Sequence, residues 1–159
     1  MNKIPLTQGK FAIVDDEDYE ELSKYKWHYH KNRMKYPGYA MRAIYIDGKQ
    51  IILRMHRVIL NISKNKQGDH INGNTLDNRR SNLRVCTQKE NNWNASKRKD
   101  NTSGYKGVHH FKGKWAARIQ VDNKRLFLGY YETVKEAAKG YDIAAKKYFD
   151  NYSKLNFPT

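Results

Sequence analysis

At 159 residues the chain has room for one ordinary domain or two small ones. Lys and Arg number 31 against 16 Asp and Glu, a net charge of +15 with a pI of about 9.8, the range of proteins that contact nucleic acid. The single cysteine, Cys86, excludes an internal disulfide and a cysteine-based zinc ribbon. No apolar run reaches transmembrane length and the N-terminus does not lead into a signal-peptide core, so an intracellular, cytoplasmic protein with no membrane partner is expected.

The basic excess is shared along the chain. Residues 1–95 carry 17 basic and 10 acidic side chains, and residues 96–159 carry 14 and 6. Both halves are therefore expected to face the same polyanion. Aromatic residues make up 13% and hydrophobic residues 38%, which supports small aromatic-anchored cores rather than one large core.

In chain order, Lys10–Val14 is a short β-prone run. Asp15-Asp16-Glu17-Asp18 then opens a helix to about Tyr25, with acids placed where a helix N-terminus favours negative charge. Trp27–His30, Tyr39–Ile46 and Gln50–Met55 read as strands, with turns at Tyr36-Pro37-Gly38 and Asp47-Gly48. His56–Leu60 begins a short helix. A strand then leads into Asp69-His70, a polar loop runs through Asn82, and Leu83–Thr87 is the next strand. Thr87-Gln88-Lys89-Glu90 has the pattern of a capping box and opens a helix carrying Asn91 and Asn94 on one face.

Ser96–Gly104 is a charged, small-residue stretch without apolar periodicity and reads as a linker. The predicted division is 1–95, linker 96–104, and a second domain over 105–159. In that second domain Tyr105–Phe111, Lys114–Val121 and Arg125–Tyr131 read as three strands. Trp115, Ala117, Ile119 and Val121 share one face of the middle strand, and Ala116, Arg118 and Gln120 share the other. Thr133-Val134-Lys135-Glu136 opens a helix whose apolar stripe is Val134, Ala137, Ala138, Tyr141, Ala144, Ala145 and Tyr148. The alanines let the helix approach one sheet face closely, leaving the other open. The open face carries Arg118 and Gln120, with Lys106 or His109 and Arg125 or Phe127 joining by alternation.

The chemistry concentrates in Gly68-Asp69-His70-Ile71-Asn72-Gly73-Asn74 and in the asparagines that follow. Asp69 offers a hard anionic oxygen and Asn91 a neutral amide oxygen, the donors that suit Mg²⁺ or Mn²⁺, one ion per site. His70, as a neutral imidazole, can take a proton from an attacking water. Asn82, at the far end of the loop, is placed to bridge loop backbone groups and so fix His70. Cys86 reads as a small core residue, and His28 and His30 as surface or nucleic-acid-facing.

The set Asp69-His70, Leu76-Asp77-Asn78-Arg79-Arg80-Ser81-Asn82-Leu83-Arg84 and Thr87 to Asn91 resembles the HNH endonucleases, particularly homing-type members with a ββα-metal fold, over about residues 50–97. The resemblance implies His70 as general base, Asp69 as a metal ligand, Asn82 as the residue that holds the base, and Arg84 at the scissile phosphate. The third motif position falls on Asn91, an amide where the family often has His, with Asn92 or Asn94 as alternatives. His56 is read as structural or DNA-contacting.

Tyr105-Lys106-Gly107-Val108, Gly113–Ile119, Leu128-Gly129-Tyr130, Glu136-Ala137-Ala138, Tyr141-Asp142, Ala144-Ala145 and Leu155-Asn156-Phe157-Pro158 resemble the Apetala/ethylene-response-factor DNA-binding domain over nearly all of 104–158. That resemblance implies DNA contacts at Lys106, His109, Arg118, Gln120, Arg125, Phe127 and Tyr130. Lys106, His109, Arg118 and Phe127 differ in type from the plant pattern, so no plant recognition site is carried over.

Together these readings predict an α+β protein: an HNH core with an N-terminal β-rich extension over 1–49, then a three-stranded antiparallel sheet on one helix. The expected activity is metal-dependent cleavage of double-stranded DNA by a monomer with no obligate protein partner, leaving 5′-phosphate and 3′-hydroxyl ends. Such an enzyme belongs to a mobile element or phage acting in a bacterial host. The competing expectation is a non-catalytic DNA-binding regulator on a degenerate HNH scaffold. An RNA-binding module is disfavoured because the sheet sequence lacks the stacking signature of common single-strand readers.

Overall fold

The computed structural model describes residues 1–31 and 38–158, so Tyr36 and Pro37 of the first expected turn lie outside the described residues. The protein is α+β, and its described residues form four small antiparallel sheets and few helices. Two compact units are present, Met1–Gln88 and Lys89–Thr159, divided ahead of the 96–104 stretch.

In the first unit β1 (Asn2–Pro5) pairs with β2 (Phe11–Val14), and alternation sends Ile4, Ala12 and Val14 inward. Helix α1 (Asp16–Ser23) follows, shorter than the expected run to Tyr25, and buries Leu22. The Leu22 carbonyl accepts from the buried Trp27 indole N–H at 2.9 Å, which satisfies both groups. The sheet of β3 (His28–His30), β4 (Tyr39–Ile46) and β5 (Lys49–Arg54) comes next. Its β4–β5 turn is Asp47-Gly48, both at positive φ, as a tight hairpin requires.

Helix α2 (Met55–Leu60) buries Met55, His56 and Ile59. Strand β6 (Gln67–His70) pairs with β7 (Leu83–Cys86), and Cys86 is buried as expected of a core residue. A single cluster of Ile4, Leu6, Ala12, Val14, Leu22, Trp27, Ala40, Met55, Ile59 and Leu83 ties these pieces together.

The second unit begins within helix α3 (Gln88–Trp93), whose Trp93 ring stacks on Phe149 with centroids 4.6 Å apart. Three strands follow, β8 (Val108–Phe111), β9 (Lys114–Val121) and β10 (Lys124–Tyr131), in the order β10-β9-β8. The first strand starts at Val108 and not Tyr105, because Gly107 at φ +76° breaks the extended run. A Cβ at Gly107 would meet the Tyr141 ring, so only glycine allows this approach.

Helix α4 (Val134–Phe149) opens on the expected capping box: Thr133 Oγ1 accepts from Glu136 N, and the Glu136 carboxylate accepts from Thr133 N. Its buried stripe ends on Phe149, while Tyr148 is exposed. That corrects the expected stripe by one residue, since four residues on from Ala145 is Phe149. Ile119, Tyr141, Ala144, Ala145 and Phe149 form one cluster, and Val108, Ala117, Ala137 and Ala138 another.

Candidate functional site

The β6–β7 ladder places Asp69 opposite Arg84 and His70 opposite Leu83. Asp69 is buried, and Arg84 closes on its Oδ2 from Nη2 at 2.6 Å and Nε at 2.9 Å. The guanidinium supplies the countercharge that a buried carboxylate needs.

His70 is also buried, and its Nε2 lies 3.2 Å from Asn78 Oδ1. An amide oxygen only accepts, so Nε2 carries the proton and the lone pair of the neutral ring sits on Nδ1. Burial holds the His70 pKa below its ordinary value, against the hydrogen bond to Asn78 and the charges of Asp69 and Asp77. The His56 ring packs edge-on against His70, with centroids 4.9 Å apart, and Tyr39 lies tilted against both. Burial, helped by the charge of His70, pushes His56 down to about 3. His56 is thus packed as a neighbour of His70 within this buried group.

The polar loop between β6 and β7 is held from within. Asn82 Oδ1 accepts from Asn72 N at 2.9 Å, and Asn82 Nδ2 donates to the Asp77 carbonyl at 2.7 Å. Asn72 and Asn74 each accept from a backbone N–H two residues on. Asp77 takes both Nε and Nη2 of Arg79 and the Asn72 amide, and Arg79 first among these holds its carboxyl below the usual range. The loop also docks on β2 through Ile13 N to Leu76 O and Asn78 N to Ile13 O, both 2.8 Å. Arg80 fastens it to α1, donating to Asp18 through Nε and Nη2 while its backbone N–H reaches Asp15.

The structure therefore brings Asp69, His70, Arg84 and Asn82 into one loop-and-ladder frame, with Asn78 hydrogen-bonded to the imidazole. The sequence alone did not single out Asn78. It is one of several asparagines in the stretch, and only its anchorage on Ile13 turns it toward His70. Asn91 lies on α3 within the second unit. Among the described residues, no group of three or more His, Cys, Asp or Glu side chains is placed to hold a metal.

In the C-terminal sheet the register sets the open face. His109 and Tyr130 pair with Ala116, Phe127 with Arg118, and Arg125 with Gln120. Arg118, Gln120, Arg125, Phe127 and Tyr130 are exposed or half-exposed, while Ile119 and Ala117 face the helix side. Lys106 is placed differently: its Nζ donates to the Trp93 carbonyl at 2.7 Å, and burial pushes its pKa down to about 8. Of the two residues left open for the first strand, His109 is the one in the ladder. Burial and the charge of Arg118 lower the His109 pKa.

The C-terminal segment is clamped to the sheet and helix. Buried Asp142 accepts from Asn156 N, Asn156 Nδ2 and Phe157 N, and Asn156 Oδ1 accepts from Lys106 N. Phe111, Phe127 and Tyr130 are 39%, 52% and 50% exposed on this face. Its rings come from two non-adjacent strands, which linear reading does not bring together.

The first unit thus carries a buried Asp-His pair on a short antiparallel ladder, and the second a basic three-stranded sheet backed by one helix. Residues 55–93 match the family model described as HNH endonuclease. Over 156 residues the chain is 29% identical to an uncharacterized HNH endonuclease of Acanthamoeba polyphaga mimivirus, covering 94% of this chain and 76% of that protein. It is also 48% identical over 59 residues to an ethylene-responsive transcription factor of Arabidopsis thaliana, 35% of this chain and 14% of the plant protein. A dehydration-responsive element-binding protein of the same plant is 46% identical over 63 residues, 37% of this chain and 31% of its own length. Residues 55–93 are thus similar to HNH endonucleases, and a further segment is similar to plant ethylene-responsive and dehydration-responsive factors. None of the described helices is long and apolar enough to cross a membrane.

Proposed function

We propose that this protein is an endonuclease that hydrolyses phosphodiester bonds in double-stranded DNA, held on its substrate by the C-terminal sheet. The observation that carries the reading is His70: a buried neutral imidazole with Nε2 fixed by Asn78, next in sequence to the buried Asp69. His70 Nδ1 takes a proton from the attacking water. Asn78 sets the tautomer, and Asn82 keeps the loop closed around it. Arg84 acts by holding Asp69, and its guanidinium is the group proposed for the scissile phosphate.

The anionic oxygen of Asp69 is donor chemistry that fits a hard divalent ion, Mg²⁺ or Mn²⁺. Such an ion, when bound, polarises the phosphate and neutralises charge on the departing oxygen. Arg84 pairs with Asp69 Oδ2, so an ion held by Asp69 would have to share this carboxylate with the guanidinium.

The proposed division of labour is HNH nuclease over 1–95, linker over 96–104 and DNA-binding domain over 105–159. His109, Arg118, Gln120, Arg125, Phe127 and Tyr130 make up the proposed DNA-binding set, while Lys106, expected to join them, donates instead to the Trp93 carbonyl. A monomer with one such centre nicks.

The amide at Asn91 and the Arg84 clamp on Asp69 favour one alternative, a DNA-binding regulator that keeps the scaffold without cutting. Supercoiled plasmid incubated with Mg²⁺ or Mn²⁺ separates the two. The nuclease nicks, and His70→Ala does not; equal conversion by both proteins, or none by the wild type, sinks the enzyme reading.

A further inference from the structure

We propose that Arg54 holds a phosphate of the cleaved DNA strand beside His70, as a substrate contact additional to the one proposed for Arg84. The inference rests on the nuclease reading of His70 and names the side chain that seats the strand there.

Strand geometry decides where Arg54 points. In the β3-β4-β5 sheet Tyr29 pairs with Ala40; Ala40 belongs to the core of the first unit and Tyr29 packs against it. Alternation therefore sends the next row, His28, Met41 and Arg54, to the outer face. His28 and Arg54 are exposed there. Tyr39, two residues before Met41 and so on the same face, is half-buried, and its ring lies against both His56 and His70. The Arg54 guanidinium rests over this ring, its Cζ 5.6 Å from the centroid. Tyr39 and His70 have centroids 6.1 Å apart, and the two separations together keep the guanidinium within about 12 Å of the imidazole.

The other arginines described in this unit are already engaged. Arg42 lies half-buried over the rings of Tyr25 and Trp27, at 3.6 Å and 5.5 Å. Arg57 donates to the carbonyls of Ser63 and Lys66, both at 2.8 Å. Arg79 is closed on Asp77, Arg80 on Asp18 and Glu17, and Arg84 on Asp69. Arg54 is left as an exposed guanidinium with no carboxylate or carbonyl partner among the described residues. The strands around it, His28–His30, Tyr39–Ile46 and Lys49–Arg54, contain no acid.

A fork of donors on an acid-free face fits the oxygens of a phosphate, which a guanidinium meets through two parallel hydrogen bonds. Resting on Tyr39 restricts the side chain before the strand arrives, so less freedom is lost on binding. Attack by water needs the phosphorus held about 3–3.5 Å from the attacking oxygen. A neutral His70 contributes no charge to hold the strand, and the charge of Arg84 is balanced by Asp69. Arg54 supplies that hold from the solvent side of Tyr39.

The test uses the full chain and first maps the nick on an end-labelled duplex with Mg²⁺ or Mn²⁺. Single phosphates within about three nucleotides of the nick are then replaced by uncharged methylphosphonates, since each nucleotide of a strand rises about 3.4 Å. At one of these positions the wild type should lose about 10-fold in kcat/KM. Arg54→Gln should show a similar loss on unmodified DNA and little further loss at that position, while Arg54→Lys should recover most of the activity. In EDTA, where no cutting intervenes, the dependence of log K on log salt for duplex binding should become shallower by about one unit in Arg54→Gln and stay at the wild-type value in Arg54→Lys. A role confined to packing on Tyr39 would leave that slope unchanged. Equal methylphosphonate losses in wild type and Arg54→Gln at every position, or an unchanged salt slope in Arg54→Gln, overturn the inference; the nuclease reading then stands on wild-type nicking. No nicking by the wild type removes both.

Discussion

His70 Nε2 lies 3.2 Å from the amide oxygen of Asn78, and both side chains are nearly sealed from solvent. The contact decides which ring nitrogen keeps its proton. Asn78→Ala should leave the neutral ring distributed between both tautomers, which nitrogen chemical shifts of the imidazole report without any turnover. Nicking should fall roughly 10-fold or more, since general-base help as a whole contributes about 10²–10⁴-fold. The KM for DNA should hardly move. A single unchanged tautomer in Asn78→Ala would remove Asn78 from this role.

Acid should loosen the first unit. Burial lowers His56 from 6.5 to about 3 and lowers His70 in the same direction. Below pH 6.5 the unfolded chain therefore binds more protons than the folded one, so stability falls as pH falls. It is fully present above that pH and is lost progressively toward pH 3, by up to about 1.4 kcal/mol per pH unit for His56. Urea unfolding at about pH 7 and about pH 5 should differ by roughly 2 kcal/mol. His56→Gln should flatten the dependence, and an equally steep profile in that variant would place the acid sensitivity elsewhere.

Arg80 links the loop to α1 through Asp18, Glu17 and the backbone contact with Asp15. Its side chain is half exposed, so solvent screening keeps the gain small. Arg80→Ala is expected to cost about 1 kcal/mol, and a double-mutant cycle with Asp18→Asn should give a coupling of about 0.5–1 kcal/mol. Zero coupling would mean that the ion pair adds nothing beyond the backbone contact.

In the second unit, Asp142→Ala leaves the N–H groups of Asn156 and Phe157 without their acceptor. A loss of about 2–4 kcal/mol is expected in chemical denaturation followed by tryptophan fluorescence. Gly107→Ala should be at least as damaging, because it combines a positive φ with a collision at Tyr141. A stable Gly107→Ala protein would show that the Tyr141 contact yields.

Much of the architecture was legible in the chain. Asp47-Gly48 announced its hairpin, Thr133 and Glu136 their capping box, and the Ala-rich stripe its helix, because each signal is local and acts within one turn of backbone. Boundaries were less legible where a tertiary contact set them. The strand expected from Tyr105 begins at Val108 because Gly107 must pass close to Tyr141, a residue on a distant helix.

The nuclease-type pair was visible too, since Asp69 and His70 are adjacent in sequence and strand geometry follows. By itself the sequence determined the α+β class, the basic charge of both halves, the Asp-His pair and the alternation that faces Arg118 and Gln120 outward. Those properties depend on composition, neighbours and period. Tertiary structure alone decided that Asn78 meets His70, that Arg84 neutralises Asp69, that Lys106 turns to the Trp93 carbonyl, and that a bulge gathers Phe127, Tyr130 and Phe111 on one face. Each of these turns on strand register or on a contact between segments far apart in the chain, where identical residue types offer equivalent partners until packing chooses among them.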